Sequence, residues 1–470
     1  MLGKIFKAYD VRGTYPDPLN EERAWQIGYG AGKFLLAEAA AGGDTTPMMK
    51  NIIVGHDMRK SSPSLHKALC RGIMDAGADV IDVGLVDTPF VYFAINHVDC
   101  AGGVQVTASH NPPQYNGFKV SKRKAKPVGE STGLAEIRRI AAMVETTEKG
   151  KGPGRIEKRD LWDDYRKHVL SFLDTGGKAI KVVIDASNGM AGTMVPKVFG
   201  KKGSGVPGLE IVELYFDNSK GEFVHEPNPL VASNLKDLQA KVIAEKAHFG
   251  VCFDGDADRL MIVDEKGGIV GCDLLSAFLA AWFLKKNAGS PIVYDLRSSK
   301  ALEEDVKKAG GKPVRSRVGH VFMKAALAEQ HAAFGGELSG HFYFRDNFNA
   351  DSGAIALAVL LTAYAKSGEK AMSKLIAPIS RYKQSGEINF SIEDKDGALA
   401  LLKERYHGRA RIDDLDGVTV DAFEKDGWWC NVRKSNTEPL LRLNLEARDD
   451  ATLQRMLEQI SPMLGTPVEH

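Results

Sequence analysis

The chain has 470 residues, too many for one ordinary hydrophobic core, and at about 100–200 residues per domain it calls for three or four domains. Its composition is that of a globular protein, 43% hydrophobic and 26% charged, and a formal net charge of +1 without long single-sign blocks argues against nucleic acid or a membrane surface as partner. The opening MLGKIFKAYDVRG lacks the apolar run of a signal peptide, and no stretch approaches the ~20 apolar residues of a spanning helix, so a cytoplasmic protein is expected.

In chain order, a strand–helix–strand–helix–strand pattern occurs three times. The first copy has strand NIIVGHD (51–57), a helix near 62–76, strand DVIDVG (79–84), a helix near 90–98 and the segment GGVQVTASHNP. After EKGKGPGR (148–155), an expected exposed linker, come KVVIDAS (181–187), a helix near 191–201, EIVELY (210–215), a helix near 233–247 and FGVCFDGDADR. The third copy has PIVYDLR (291–297), a helix near 299–309, PVRSRVG (313–319), a helix near 321–332 and AAFGGELSGH. Such alternation predicts parallel α/β units, whose ligands bind at the carboxyl ends of strands. After about residue 378 strands follow strands (GEINFSI, GVTVDAF, WWCNVRK, PLLRLNLEA) with helix-like DGALALLKERY and ATLQRMLEQISPML, which predicts a smaller antiparallel α+β domain. The expected division is 1–155, 156–267, 268–378 and 379–470. The five cysteines, Cys70, Cys100, Cys252, Cys272 and Cys430, are odd in number, widely spaced and without a CxxC pair, as expected for buried reduced thiols.

Each copy of the pattern ends in an unusual polar loop. In the first, Ser109 follows an apolar strand and precedes the turn-forming Asn111-Pro112, a setting that presents a side chain at the strand end. In the second, Asp254, Asp256 and Asp258 alternate around Gly255, and three carboxylates that can converge need a hard cation as counter-charge. An EF-hand has the same spacing as far as Glu265, but its sixth position requires Gly where this chain has Arg259, and the flanks read as strands. An aspartyl nucleophile is the other reading of this loop. With Ser109 as nucleophile, a phosphoserine oxygen completes the ion's coordination and the ion neutralises charge during phosphoryl transfer. In the third loop, Glu337 and Ser339, two apart in the run to His341, share a side if the loop is extended and suit vicinal sugar hydroxyls. A fourth loop, Arg433-Lys434-Ser435-Asn436-Thr437-Glu438-Pro439 with Arg442 after it, combines hydroxyls, an amide and guanidinium groups as a phosphate cradle, and it is not a P-loop.

Taken in this order, the four loops, with FKAYDVRG (6–13), GHDMRKSS (55–62) and Thr88-Pro89, resemble the α-D-phosphohexomutases over nearly the whole chain. The resemblance implies three similar mixed α/β domains and a C-terminal α+β domain around a central cleft. It implies a phosphoserine at Ser109 and Mg²⁺ held by Asp254, Asp256, Asp258 and the Ser109 phosphate. Glu337 and Ser339 would bind sugar hydroxyls, and Arg433, Ser435, Asn436 and Thr437 the non-reacting phosphate, with His341 and Arg442 beside them. Tyr9, Arg12, Lys119, Arg259 and His320 match further active-site positions, and His110 adjoins the serine. Lys119 and His320 are the expected proton handlers, and the sequence does not say which is the base. At Arg297 close relatives often carry Lys.

The implied reaction is transfer between C1 and C6 of mannose or glucose phosphates through a hexose 1,6-bisphosphate that must turn around, with small-molecule hexose phosphates as partners and a monomer or small homo-oligomer as the enzyme. Phosphoglucosamine mutase is the alternative within the class, though Thr107 and Asn436 depart from its usual Arg-Ala-Ser-His-Asn-Pro and Ser-Gly-Thr-Glu-Pro patterns. A non-catalytic phosphosugar-binding protein and a phosphosugar hydrolase are the alternatives outside it.

Overall fold

Parallel strands joined by helices form the centre of three of the four sheets in the computed structural model, which describes residues 2–43, 46–435 and 440–468. The chain divides into two compact units, one of residues 1–270 and 339–373, the other of 271–338 and 374–470.

In the first unit, strands Asn51–His56, Asp79–Leu85 and Gly102–Val106 pair in parallel, and Tyr115–Lys122 and Val11–Thr14 extend this sheet antiparallel. The polar stretch 148–155 is mostly exposed but strapped down, since Gly150 and Gly152 donate N–H bonds to the Asp75 carboxylate. It leads into strand Ile156–Lys158, which adds to the edge of the same sheet beside Asp79–Leu85. Helix Glu21–Ala41, which the sequence pattern did not single out, crosses helix Ser62–Asp75 closely. A Cβ at Gly28 would lie 2.2 Å from the Leu69 carbonyl oxygen, and one at Gly72 2.0 Å from that of Trp25, so only glycine permits the crossing. The second sheet has parallel strands Leu209–Leu214, Ile180–Asp185 and Phe249–Phe253, then antiparallel Leu260–Asp264 and Ile269–Val270. Strand Phe249–Phe253 is buried throughout, as its continuous apolar run predicts.

In the second unit, Lys312–Ser316, Pro291–Asp295 and Phe334–Gly336 pair in parallel. The C-terminal sheet is wholly antiparallel, in the order Arg411–Asp413, Val418–Asp421, Trp428–Lys434, Leu441–Ala447, Lys383–Ser391, Thr466–Val468. Helices Lys395–Tyr406 and Asp450–Leu464 supply Leu402, Leu453, Met456 and Ile460 to one core with Val420, Cys430 and Leu443 from the strands. Three mixed α/β domains and a C-terminal α+β domain therefore make up the chain, as its pattern predicts. All five cysteines are buried and free. No helix among the described residues is long and apolar enough to cross a membrane.

Candidate active site

Strand Gly102–Val106 runs out into Thr107-Ala108-Ser109, and there the chain turns sharply. Ser109 has φ +50°, a left-handed conformation that costs a non-glycine residue on the order of 1–2 kcal/mol. Thr107 Oγ1 accepts the Ser109 N–H at 2.9 Å, and the Ser109 hydroxyl donates to Asp254 Oδ2 at 2.9 Å. The aspartate loop comes equally close from the other side. A Cβ at Gly255 would stand 2.4 Å from the Ser109 carbonyl oxygen, which is the physical reason for a glycine between Asp254 and Asp256.

Asp254, Asp256 and Asp258 are all buried, and one oxygen from each lies within 4.8 Å of the others. Burial and the neighbouring Asp258 and Asp256 charges push the Asp254 carboxyl well above its usual range. Asp256 Oδ1 is buried with no hydrogen-bond partner among the described residues. A buried oxygen-only donor set with two such carboxylate oxygens, Oδ1 of Asp256 and Oδ1 of Asp258, fits a hard divalent cation. The counter-charge present is Lys119, whose Nζ lies 2.7 Å from Asp256 Oδ2 and 2.6 Å from Asp258 Oδ2. Burial alone would lower the lysine, but Asp256 and Asp258 outweigh it and hold the ammonium well above its ordinary range.

Other expected residues of this unit cluster here. Arg259 lies 3.8 Å from Asp254 Oδ2 and donates from Nε to His341 Nε2 at 3.3 Å. His341 Nδ1 is 2.9 Å from the Ser339 hydroxyl, and its Nε2 is 3.4 Å from Asp258 Oδ1. Arg12 bonds Asn111 and Asp10, and half-buried Tyr9 lies two residues before its strand. His110 Nδ1 sits 3.4 Å from the Ser109 hydroxyl, at the limit of a hydrogen bond. Burial, then the charges of Arg259, Arg12 and Lys119, push its imidazole well below the usual range, so it stands neutral beside Ser109.

In the second unit, Arg433 and Arg442 face each other across strands Trp428–Lys434 and Leu441–Ala447. Like charges directly opposed destabilise a sheet, and an anion between them removes the penalty. Glu387 is that anion. The register of strand Lys383–Ser391 shifts between Gln384 and Glu387, a bulge that re-aims the side chain. Its carboxylate lies 2.9 Å from Arg442, 3.4 Å from Arg433 and 3.3 Å from Arg297, whose guanidinium also pairs with Asp295 at 2.9 Å. Three guanidiniums against two carboxylates leave one positive charge, which suits an incoming phosphate. Glu337 accepts the Gly319 N–H at 2.9 Å beside His320, which opens helix His320–Gln330. Leu338 and Ser339 form a turn, so the extended alternation expected to pair Glu337 with Ser339 is absent. Ser435 donates its N–H to the Leu440 carbonyl at 2.9 Å, while Asn436 and Thr437 lie outside the described residues.

Burial would raise the Glu387 carboxyl, but Arg297, Arg442 and Arg433 together hold it below its ordinary value of 4.5. A depressed carboxylate contributes stability that is complete above the unfolded value and is lost as pH falls through the folded one. Glu387→Gln should therefore destabilise the C-terminal domain at pH 7, toward the lower end of the roughly 3–5 kcal/mol typical of breaking a buried ion pair, because the group is partly exposed. Urea titrations followed by tryptophan fluorescence should show the difference from wild type shrinking below pH 4.5. A pH-independent difference would show that the carboxylate charge is not what matters.

Several contacts were not assigned from the sequence. Thr88, noted only within Thr88-Pro89, donates its hydroxyl to Asp256, and its N–H bonds the Asp256 carbonyl at 3.1 Å. Asp351 forms a second close group with Asp258 and His341, and neither it nor Glu387 stands in a motif that would single it out.

Family models cover most of the chain. Those for phosphoglucomutase/phosphomannomutase alpha/beta/alpha domains I, II and III match residues 3–148, 163–268 and 273–382, and that for the C-terminal domain matches 387–462. The chain is 38% identical over 466 residues to a Xanthomonas campestris protein called "Phosphohexose mutases", covering 98% of each. It is 36% identical over 458 residues to the phosphomannomutase of Escherichia coli, covering 95% of this chain and 96% of that one. A crystal structure of a phosphoglucomutase/phosphomannomutase family protein from Burkholderia thailandensis superposes with a TM-score of 0.86 at 31% identity, over 98% of this chain and 96% of that one. With four domain models matched in order and full-length relatives above 30% identity, the chain belongs to the phosphoglucomutase/phosphomannomutase family of phosphohexomutases.

Proposed function

We propose that this enzyme interconverts the 1- and 6-phosphates of mannose and of glucose, with Ser109 as phosphoryl carrier and the hexose 1,6-bisphosphate as intermediate. The observation that carries this reading is the Ser109 hydroxyl, 2.9 Å from the first of three buried carboxylates. Asp254, Asp256 and Asp258 would hold Mg²⁺, which supplies charge neutralisation at the transferring phosphoryl group. A hydroxyl of the bound sugar phosphate attacks phosphorus and gives up its proton to the protein, while the bond to Ser109 Oγ breaks and the leaving Oγ gains a proton. Lys119 and His320 are the handlers, and Lys119, held as an ammonium by Asp256 and Asp258, can serve only as the donor. Arg12, bonded to Asn111 of the serine loop, and Arg259, 3.8 Å from Asp254, balance the phosphoryl charge. Arg433, Arg442, Ser435 and Arg297, with Asn436 and Thr437 of the same loop, take the non-reacting phosphate, while Glu337, Ser339, His341 and Tyr9 take the sugar. The bisphosphate then turns around, and its other phosphate returns to Ser109.

The test is a coupled assay, activated with hexose 1,6-bisphosphate, that follows isomer formation and free phosphate together. A mutase forms isomer without stoichiometric phosphate, a hydrolase releases phosphate, and a binding protein does neither.

Both sugars should turn over. Mannose and glucose differ only at C2, and the turnaround puts C2 in two places during one cycle, so a clamp on C2 in one orientation obstructs the other. The kcat/KM values under identical activation should differ by far less than the ~10⁴-fold of a site built to read one hydroxyl. A preference of that size would indicate a single-substrate mutase.

A further inference from the structure

The first strand of each repeated strand–helix pattern ends in an aspartate or runs directly into one, and the three copies use it differently. In the third domain Asp295 grips Arg297, two residues on, and that guanidinium also pairs with Glu387. In the second, Asp185 accepts the Ser187 N–H at 2.8 Å and pairs with His225 at 3.1 Å. In the first, Asp57 accepts the Arg59 N–H at 3.0 Å and its Nε–H at 3.1 Å, and here the guanidinium is wholly buried. Its remaining donors all go to one loop. One terminal nitrogen bonds the carbonyls of Pro112 at 2.7 Å and Tyr115 at 3.1 Å, the other those of Ser109 at 2.8 Å and Asn111 at 2.6 Å. A guanidinium has five N–H donors in a fixed fork, so every one is used. The Phe223 ring lies against the cation, 5.1 Å from Cζ, and Ser62 donates its hydroxyl to Asp57.

We infer that Arg59 is a positioning residue for the reaction: its guanidinium ties the carbonyls of loop 109–115 to one point and so holds Ser109 in the backbone conformation that aims its hydroxyl at Asp254. The inference rests on the reading of Ser109 as phosphoryl carrier. Two features of the loop need such a clamp. Ser109 sits at φ +50°, a state that persists only when its surroundings over-determine it. Four carbonyls converge on one place, and a buried acceptor left without a donor costs about 1–3 kcal/mol. The clamped Ser109 carbonyl is also the atom against which Gly255 packs, so the same contact sets the spacing between serine and aspartate loops. Lysine cannot substitute, because three donors from one nitrogen cannot span four carbonyls and a carboxylate.

The test is Arg59→Lys in the full chain. The quantity read is kcat per folded molecule carrying phosphate on Ser109, with occupancy measured by intact mass. A loss of about 10²-fold is expected, the effect of an approximately 1 Å misplacement of a reacting group, with KM changed little. A purely structural role would lower the melting temperature and leave this corrected kcat intact, which would overturn the inference. A second measurement needs no variant. In ¹⁵N spectra of the wild-type protein the Arg59 terminal N–H protons should resolve as separate, slowly exchanging signals, and a single averaged, rapidly exchanging signal would overturn the clamp. Absence of phosphate on wild-type Ser109 would overturn the carrier reading and with it the inference, an outcome distinct from a labelled wild type whose Arg59→Lys variant keeps full activity.

Discussion

Ser109→Ala should abolish isomerisation of hexose phosphates while leaving the fold in place. Ser109 is 1% exposed, and its Oγ donates to Asp254. Removing a covalent nucleophile costs on the order of 10⁶ in kcat where this has been dissected in a serine protease, and a loss of comparable order is expected here. Folding should be little affected, because alanine meets the same left-handed cost as serine at φ +50° and the hydroxyl's losses are the hydrogen bond to Asp254 and the 3.4 Å contact with His110. The checks are a coupled isomerase assay and intact mass after incubation with hexose 1,6-bisphosphate: wild type should gain the mass of one phosphoryl group at Ser109, and the variant none. Full activity in the variant, or label confined to another residue, would sink the assignment.

Chelation should stop turnover, Mg²⁺ should restore it, and Asp256→Asn should reproduce the loss in the presence of Mg²⁺. The substitution keeps the shape of the side chain and removes one of three negative charges from the buried set. Charge neutralisation by a bound cation is worth several kcal/mol in the transition state, and each 1.36 kcal/mol is tenfold in rate, so kcat should fall by about 10²- to 10³-fold. Calorimetric titration gives a readout independent of activity, and Mg²⁺ affinity should weaken in the variant. The Lys119 ammonium, 2.7 Å from Asp256 Oδ2 and 2.6 Å from Asp258 Oδ2, sits against two of the same carboxylates, and in the variant it should lose the charge of Asp256. Undiminished activity in metal-stripped enzyme would refute the account.

The contacts around these residues differ in how far they could be read in advance. The aspartate loop stood out because alternating carboxylates bracketed by apolar strands have few other physical justifications, and its three side chains do converge. Helix Glu21–Ala41 went unread because its close packing relies on glycines and alanines, which leave little contrast between one face and another. The stretch 148–155 has the composition of a free linker, but Asp75, more than seventy residues earlier, binds it down. Glu387 looked like any strand glutamate until a bulge turned it toward three arginines from other strands and loops.

By itself the sequence determined the class of each domain, through the spacing of apolar runs, and the chemistry of each loop, through the residue types collected in it. Those are local properties, written within a few tens of residues. Only the tertiary structure decided which groups share a charge, because pairing depends on atoms brought together across long separations. Lys119 meets aspartates 137 and 139 positions away, Thr88 meets Asp256 across 168, and Arg59 binds the serine loop across 50. In a buried setting of low dielectric such pairings set both charge state and position, which is why the roles of Arg59 and Glu387 emerge from coordinates and not from motifs.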